Sequence, residues 1–326
     1  MVMTISLDPI RDDLIAWAES LWLEDVGAFR NGNTTEAHIQ SSLFMAYILY
    51  SMDAIEAIAF DRERWITWIQ SQQNEQDGSF AFYDSEPPRR GIALWNVVRV
   101  LNILGGQVAH FPAYQQEAMT IDGLRAWFDG WKKRGDTHHE VLALVPTLVS
   151  HPDAHWVEAF FSELAEQQHP ERGTWFKGDG EVNISRTFAY SLIHMGMDRL
   201  PPQPEKIVDA MLDLQEEDGF WHGGPNFSTM DAVYILARLP KNITWREAAA
   251  EAALHRVLDA LIPYYEAYAD REKSNTHQFA AIVQTFALLS EALPDRFETS
   301  WSWRFGWSNR AFWQCRVIKE GLVTVV

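Results

Sequence analysis

The sequence predicts an all-α protein: a single (α/α)6 toroid of six helical hairpins in residues 1–297, with a Trp-rich extension in residues 298–326 packed on it. Three observations predict this fold. A Gly-x-aromatic triplet recurs along the chain, apolar segments alternate with amphipathic ones, and long loops alternate with short ones. The chain has 326 residues, of which 47% are hydrophobic, so it is long enough to bury a full core.

The triplet marks the end of each outer helix. Its four clear copies are Gly27-Ala28-Phe29, Gly78-Ser79-Phe80, Gly173-Thr174-Trp175 and Gly219-Phe220-Trp221. The interval between the second and third copies is about twice the others, so a degraded copy is expected at Trp127-Phe128-Asp129-Gly130-Trp131 and a sixth near Tyr268. Glycine is the residue at which such helices most often stop.

The inner helices are predicted from segments that are apolar around most of their circumference, which is typical of helices buried on all sides. These segments are His38 to Met52, Gly91 to Leu104, His139 to Val149, Thr187 to Met195, Ala232 to Leu239 and Gln278 to Leu289. The segments before the glycines, such as Asp8 to Glu24 and Asp61 to Gln73, carry charge on one face and are predicted to form an outer ring.

The loops distinguish the two ends of the predicted toroid. Short Pro-bearing loops, such as Leu239-Pro240-Lys241-Asn242, lead from inner to outer helices, and long loops rich in Gly and aromatic residues lead back. The long loops are predicted to gather at one mouth, where the amino ends of the inner helices meet and favour an anion. The residues that open these helices are His38, Arg89, Arg90, His138, His139, Glu140, Arg186, Asp231 and His277. With these ionisable residues we group Trp221, His222, Phe82, Tyr83 and Phe227 of the long loops as candidate substrate-binding residues.

Asp231 is the predicted catalytic carboxyl group, because it follows the best-formed aromatic loop and begins an inner helix. Burial would keep it protonated and a helix amino end would favour its ionised form, so a proton donor, a base and a simple helix cap remain alternatives. His139 beside Glu140 is the other candidate acid/base pair.

Composition excludes several partners. The net charge of −18 disfavours nucleic acid. The sequence has neither a signal-like start nor an apolar run of membrane-spanning length, and it has one cysteine, Cys315, so we expect a cytoplasmic protein. No cofactor or metal is expected. A zinc site from Asp231, His277 and His138 or His139 would lack both a ligand spacing and a thiolate.

The helix ends resemble a known repeat. Gln73 to Phe80, Gln168 to Trp175 and Gln215 to Trp221 are similar to the QW-type repeat of squalene and terpenoid cyclases and protein prenyltransferases. The resemblance implies an α/α toroid with an aromatic interior suited to an isoprenoid. The faces of the aromatic rings would stabilise the cations that develop on such a substrate. Two family motifs differ here: Ser228, Thr229 and Met230 precede Asp231 where class II cyclases have DxDD, and Val233 stands where prenyltransferases have their zinc-binding Cys.

Three functions follow from these observations. The first is a terpenoid-cyclase-like lyase or isomerase acting on a hydrophobic substrate, with any anionic head group at the basic mouth. The second is a carbohydrate-active toroid, a hydrolase or lyase on uronic sugars, with Glu140 and Asp231 as the two carboxylates. The third is a non-catalytic scaffold that binds a small molecule. In the tail, we expect Trp307 and Arg304 to pack on the outside of the toroid, with a cover over its cavity as the alternative.

Overall fold

The computed structural model describes residues 4–32, 34–80, 90–134, 138–175, 182–319 and 322–325. This part of the chain is mostly helical, and its strands form three short pairs. None of the described helices is both long enough and apolar enough to cross a membrane.

The helices largely follow the predicted segments. They are α1 (Asp8–Leu21), α2 (Ile39–Ser51), α3 (Arg62–Ser71), α4 (Arg90–Leu104), α5 (Ala113–Glu117), α6 (Ile121–Arg134), α7 (His138–Leu142), α8 (Val145–Leu148), α9 (Ala154–Ala165), α10 (Ile184–Gly196), α11 (Pro204–Asp213), α12 (Phe227–Ile243), α13 (Glu247–Glu272) and α14 (Thr276–Ala292). The strands are β1 (Ile5–Ser6), β2 (Trp22–Leu23), β3 (Ala28–Phe29), β4 (Phe297–Glu298), β5 (Arg316–Lys319) and β6 (Leu322–Val325).

Three sequence predictions about helix bounds are wrong. The segment from His139 to Val149 is split into α7 and α8, and Pro146 lies in the first turn of α8, where its missing N–H costs no hydrogen bond. Helix α12 begins at Phe227, capped by Asn226, and continues through Pro240, which was expected to lie in a loop. The degraded triplet at 127–131 lies inside α6, and Tyr268 lies inside α13, so neither position forms a glycine corner.

The chain divides into two compact units. The first unit consists of Met1–Phe60, Pro170–Thr174 and Gln203–Gly306, and the second of Asp61–His169, Trp175–Pro202 and Trp307–Val326. In the first unit α12 packs on α11, α13 and α14, and α14 also packs on α2. Strand β1 pairs in parallel with β4, and β2 pairs antiparallel with β3.

Helices α12 and α14 of the first unit are parallel. Near their amino ends the rings of Phe227 and His277 lie 4.5 Å apart. Near their carboxyl ends Arg238 forms an ion pair with Glu291. Contacts between like ends at both positions require the two helices to run in the same direction.

Helix α2 runs in the same direction as α14. The ring of Phe44 lies 4.6 Å from that of His277, and further along both helices the Gln284 side chain bonds to Ser51. Phe44 and Ser51 are as far apart along α2 as His277 and Gln284 are along α14, so the two helices stay in register between these contacts. The amino ends of α2, α12 and α14 therefore lie together.

In the second unit, α4 packs on α3, α7 and α8, α7 on α10, and α6 on α9. The last residues of the chain belong to this unit. Trp313 is fully buried against Trp95 of α4. It also lies against Gly196, where an added Cβ would come within 2.0 Å of the indole. Asn102 donates hydrogen bonds to the carbonyl oxygens of Phe312 and Gln314, and β5 pairs antiparallel with β6.

The prediction that the glycines end the preceding helices is wrong, because α1, α3, α9 and α11 end six to eight residues before them. The four glycines nevertheless share one conformation. Gly27, Gly78, Gly173 and Gly219 all have positive φ, between 66° and 89°, a region that L-residues rarely adopt. At Gly219 an added Cβ would also lie 2.9 Å from the carbonyl oxygen of Arg256. Both the backbone conformation and the close approach of the next helix therefore require glycine here.

The aromatic residue of three corners is anchored to the helix that follows. A hydroxyl group in that helix accepts the backbone N–H of the aromatic residue in three corners. The pairs are Phe29 with Ser42 at 3.0 Å, Trp175 with Thr187 at 3.2 Å and Trp221 with Thr229 at 3.0 Å. The repeat thus has a structural cause: in these corners it fixes the turn that leads into the next helix.

The glutamine of the repeat joins neighbouring hairpins. Gln73 donates to the carbonyl oxygens of Gly78 and His110. Gln215 makes the equivalent pair of bonds to Gly219 and Ala253. Each amide therefore holds its own corner and the following part of the chain in place.

Candidate functional site

The predicted site residues are described to different extents. Phe82, Tyr83 and Arg89 lie outside the described residues. Arg90 begins α4, and His138 and His139 begin α7, but the side chains of these three also lie outside the description. The remaining candidates are divided between the two units. The first unit contains His38, Trp221, His222, Phe227, Asp231 and His277, and the second contains Glu140 and Arg186.

The first unit brings three rings together at the amino ends of α2, α12 and α14. His277 lies between Phe44 and Phe227, with ring centroids 4.6 and 4.5 Å away, and the two Phe rings are 5.9 Å apart. Phe227 and His277 keep part of their surface exposed, whereas Phe44 is buried. We call these three residues the ring cluster. It offers an aromatic surface at which a hydrophobic ligand can pack.

Asp231 lies one helical turn after Phe227. Residues four apart share a face of an α-helix, so Asp231 follows the ring of Phe227 along α12. Its side chain is only 2% exposed. The sequence placed Asp231 at the start of its helix, but Asn226 caps α12 by accepting the N–H of Thr229. The alternative of Asp231 as a helix cap is therefore wrong.

His277 is uncharged at neutral pH. Burial lowers its pKa from 6.5 to about 4, because a buried imidazolium loses its hydration. The ring therefore acts in this cluster as a neutral aromatic group that can donate or accept one hydrogen bond at each nitrogen.

His38 precedes α2, and its backbone joins the corner to the helix. Its N–H donates to the carbonyl of Phe29, and its own carbonyl accepts the N–H of Ser42. The side chain is partly exposed and does not cap α2. His38 thus remains a candidate at the same end of the three helices.

Trp221 and His222 have scaffold roles in this geometry. Trp221 is 0% exposed, and its indole N–H donates to the carbonyl of Met211 at 2.9 Å. It therefore has no exposed surface in this structure, and its part in substrate binding stays a prediction. His222 is exposed, has a left-handed backbone, and donates its N–H to Glu216 at 3.0 Å, so its main-chain contact fixes the corner.

The candidates of the second unit lie in first turns, as predicted. Glu140 is the third residue of α7 and Arg186 the third residue of α10. The N–H of Arg186 donates to Asn183, the cap of its helix. Both side chains are partly exposed. Their part in a substrate site stays a prediction.

The tail residues named from the sequence are both packed. Arg304, in the first unit, pairs with Asp53 and lies 4.5 Å from the ring of Tyr50. Trp307, in the second unit, stacks 4.8 Å from the guanidinium of Arg99, which is fully buried and lies 4.2 Å from the ring of Trp95.

Sequence reasoning missed three residues near the ring cluster: Gln40, Phe44 and Thr276. Phe44 and Gln40 lay inside a segment that was apolar on all sides, so nothing separated them from the core. The one available signal was spacing, since Gln40 and Phe44 are four residues apart and close to the predicted opening residue His38.

Neither a metal site nor a comparison with known proteins assigns a function to these residues. Among the residues that the structure describes, no group of three or more His, Cys, Asp or Glu side chains is placed to hold a metal ion. Comparison of the sequence with protein-family models and with curated proteins finds no match. The resemblance to terpenoid cyclases therefore rests on the repeat residues alone.

Proposed function

We propose that the chain is a terpenoid-cyclase-like enzyme with the α/α toroid fold, which binds a hydrophobic, isoprenoid-like substrate at the ring cluster and uses Asp231 to transfer protons. The single observation that carries this proposal is the position of Asp231: a nearly fully buried carboxyl group one turn from a partly exposed aromatic ring.

Two features of the first unit support the toroid. Its inner helices α2, α12 and α14 are parallel, and each follows a glycine corner or a long helix of the outer type. Parallel inner helices with antiparallel outer partners are what alternating hairpins produce when they close around a centre.

The chemistry follows from the surroundings of Asp231. A buried carboxyl group can protonate an apolar substrate or remove a proton from it without competition from bulk water. The adjacent Phe rings present negative faces, which stabilise positive charge on a hydrocarbon. His277 is neutral at this position and so does not oppose such a charge.

Thermal stability in the presence of ligands tests the substrate class. We expect C10 to C20 isoprenoids to raise the melting temperature in a concentration-dependent manner, because a ligand that binds only the folded state stabilises it. Uronic oligosaccharides are the comparison, and stabilisation by these alone would contradict the proposal in favour of the carbohydrate-active alternative.

Replacing Asp231 by Asn tests the proton transfer. We expect turnover of an isoprenoid, followed by product analysis, to fall by at least about 100-fold, with ligand affinity nearly unchanged. Asp213→Asn, on the exposed face of α11, is the matched control and should retain full activity. Retained turnover in the Asp231→Asn variant would remove this residue from the chemistry.

A further inference from the structure

Two buried polar atoms beside the ring cluster have no hydrogen-bond partner among the described residues. They are Nε2 of Gln40, whose residue is 9% exposed, and Oγ1 of Thr276, whose residue is 0% exposed. More than nine in ten buried polar groups in proteins do have a partner. Leaving such a group unsatisfied costs about 1 to 3 kcal/mol, so each of these two atoms calls for an explanation.

Both atoms belong to the amino ends that form the cluster. Thr276 is the first residue of α14 and precedes His277. Gln40 lies one turn before Phe44 on the same face of α2, and Phe44 faces His277. Because α2 and α14 keep one register, Gln40 lies about one turn beyond the first residue of α14. Gln40 is therefore level with the residues that directly precede Thr276, at the amino end of α14.

Other residues of the same helices show that these side chains are normally satisfied. Gln284 of α14 donates to Tyr47 and Ser51 and accepts from Gly306. Thr285 of α14 donates to the carbonyl of Ala281 at 2.7 Å. Within α2 and α14, the buried side-chain atoms that have no partner in the described part of the chain thus lie at the amino ends, where the ring cluster is partly exposed.

The chemistry of the amino ends of α2 and α14 indicates which ligand group would form hydrogen bonds with Gln40 and Thr276. Gln40 and Thr276 are neutral donors, and His277 is neutral as well. Helix amino ends favour an electron-rich atom, but the full charge of an ionised carboxylate or phosphate would be poorly compensated there by neutral side chains. An uncharged oxygen, such as that of a hydroxyl or carbonyl group, fits both conditions.

We propose that the amino ends of α2 and α14 bind an uncharged oxygen-bearing head group, a hydroxyl or carbonyl, of the hydrophobic ligand through Gln40 and Thr276. This rests on the proposed function, because the ring cluster holds the hydrocarbon part of the same molecule. It replaces the anionic head group that the sequence suggested for this end of the first unit.

A series of C15 probes with one hydrocarbon chain tests the head group. Farnesol and farnesal are the uncharged oxygen probes, farnesoic acid and farnesyl phosphate the anionic ones, and farnesene the hydrocarbon. We expect the alcohol and aldehyde to bind at least about 10-fold more tightly at pH 7.5 than farnesene and both anions, measured by quenching of Trp fluorescence. Equal affinity for farnesol and farnesene, or tighter binding of an anion, would overturn the proposal.

Two variants connect the selectivity to the named atoms. Thr276→Val and Gln40→Leu should each weaken farnesol binding by about 3- to 10-fold and leave farnesene binding unchanged. Thr285→Val removes a satisfied hydroxyl from the same helix and should leave the selectivity intact. Loss of affinity for all probes alike in the first two variants would contradict a head-group role.

The stability of the free protein gives an independent readout. Thr276→Val removes an unsatisfied buried polar atom, so we expect its midpoint in urea to equal or exceed that of the wild type, whereas Thr285→Val should lower the midpoint. Equal destabilisation by both would show that Oγ1 of Thr276 has a partner, and would overturn the inference. If no probe binds, the proposed function fails with it; if probes bind without selectivity, only the inference fails.

Discussion

The two ends of α2 and α14 differ in how their polar groups are satisfied. At the amino ends, Gln40 and Thr276 have buried atoms without partners among the described residues, and the rings of Phe227 and His277 are partly exposed. At the carboxyl ends, the chain returns after β4 and closes the helices. The N–H groups of three consecutive residues are bonded there: Arg304 to Ser51 at 2.9 Å, Phe305 to Glu291 at 2.8 Å and Gly306 to Gln284 at 3.0 Å.

Under the proposed function, this difference separates the scaffold from the ligand site within one set of helices. A buried glutamine lowers the free energy of unfolding little where a second segment supplies its hydrogen-bond partners, as at Gln284. At Gln40 the same side chain is retained without a partner within the described chain. Such local costs in stability are typical of functional sites, where a ligand completes the hydrogen bonds.

Removing the central amide of the carboxyl end should have the largest effect. Gln284→Leu leaves the carbonyl of Tyr47, the hydroxyl of Ser51 and the N–H of Gly306 without this partner. We expect the free energy of unfolding to fall by about 4 kcal/mol, measured by urea denaturation. Gln40→Leu is the matched control and should change it by less than about 1 kcal/mol. Similar losses in both variants would contradict the difference between the ends.

The ring cluster should make the protein sensitive to acid. The pKa of His277 is lowered from 6.5 to about 4 by burial, so the unfolded chain binds a proton there before the folded chain does. The contribution of His277 to stability is therefore complete above pH 6.5 and is lost as the pH falls from 6.5 towards 4.

Replacing His277 by Phe should remove that contribution while keeping a ring between Phe44 and Phe227. Between pH 6.5 and 4 we expect the variant to lose up to about 3 kcal/mol less unfolding free energy than the wild type. His155→Gln, at an exposed position on α9, serves as the control. Parallel pH profiles for wild type and His277→Phe would show that His277 is not a buried neutral group. His194 of the second unit, whose pKa burial also lowers to about 4, accounts for acid sensitivity that remains.

The smallest effect is expected at the surface of the closed end. Arg304 and Asp53 form an ion pair in which both side chains are more than two-fifths exposed. Exposed pairs contribute little, so Arg304→Leu should lower the free energy of unfolding by about 0.5 kcal/mol or less. The backbone bond from residue 304 to Ser51 remains in the variant. A loss comparable to that of Gln284→Leu would show that the arginine side chain, and not the backbone, closes this end.

The repeat made much of the helical organisation predictable. A glycine with positive φ, a buried aromatic residue and a glutamine are local features, since each depends on residues a few positions away. The sequence therefore predicts corners at Gly78, Gly173 and Gly219, although the preceding helices end six to eight residues earlier, at Ser71, Ala165 and Asp213. Where the local signal was absent, as at residues 127–131, the predicted corner was wrong because α6 continues through it.

The start of α12 shows the limit of such local reasoning. Asp231 and Asn226 are both common caps, and the sequence favoured the later one because it adjoined the apolar segment. The structure uses Asn226, which moves Asp231 into the second turn and buries it. Of the three roles that the sequence left open for Asp231, this shift excludes the helix cap and leaves the proton donor and the base.

The sequence by itself determined the helical class, the repeat, the position of His38 directly before its helix, and the first-turn positions of Arg90, Glu140, Arg186 and His277. Only the tertiary structure decided that Phe44, Phe227 and His277 form one cluster, that Trp221 belongs to the scaffold, and which of two buried glutamines is satisfied. The physical reason is distance along the chain. The partners of Gln284 include Tyr47 and Ser51, more than 230 residues away, and no local pattern records contacts between such remote segments.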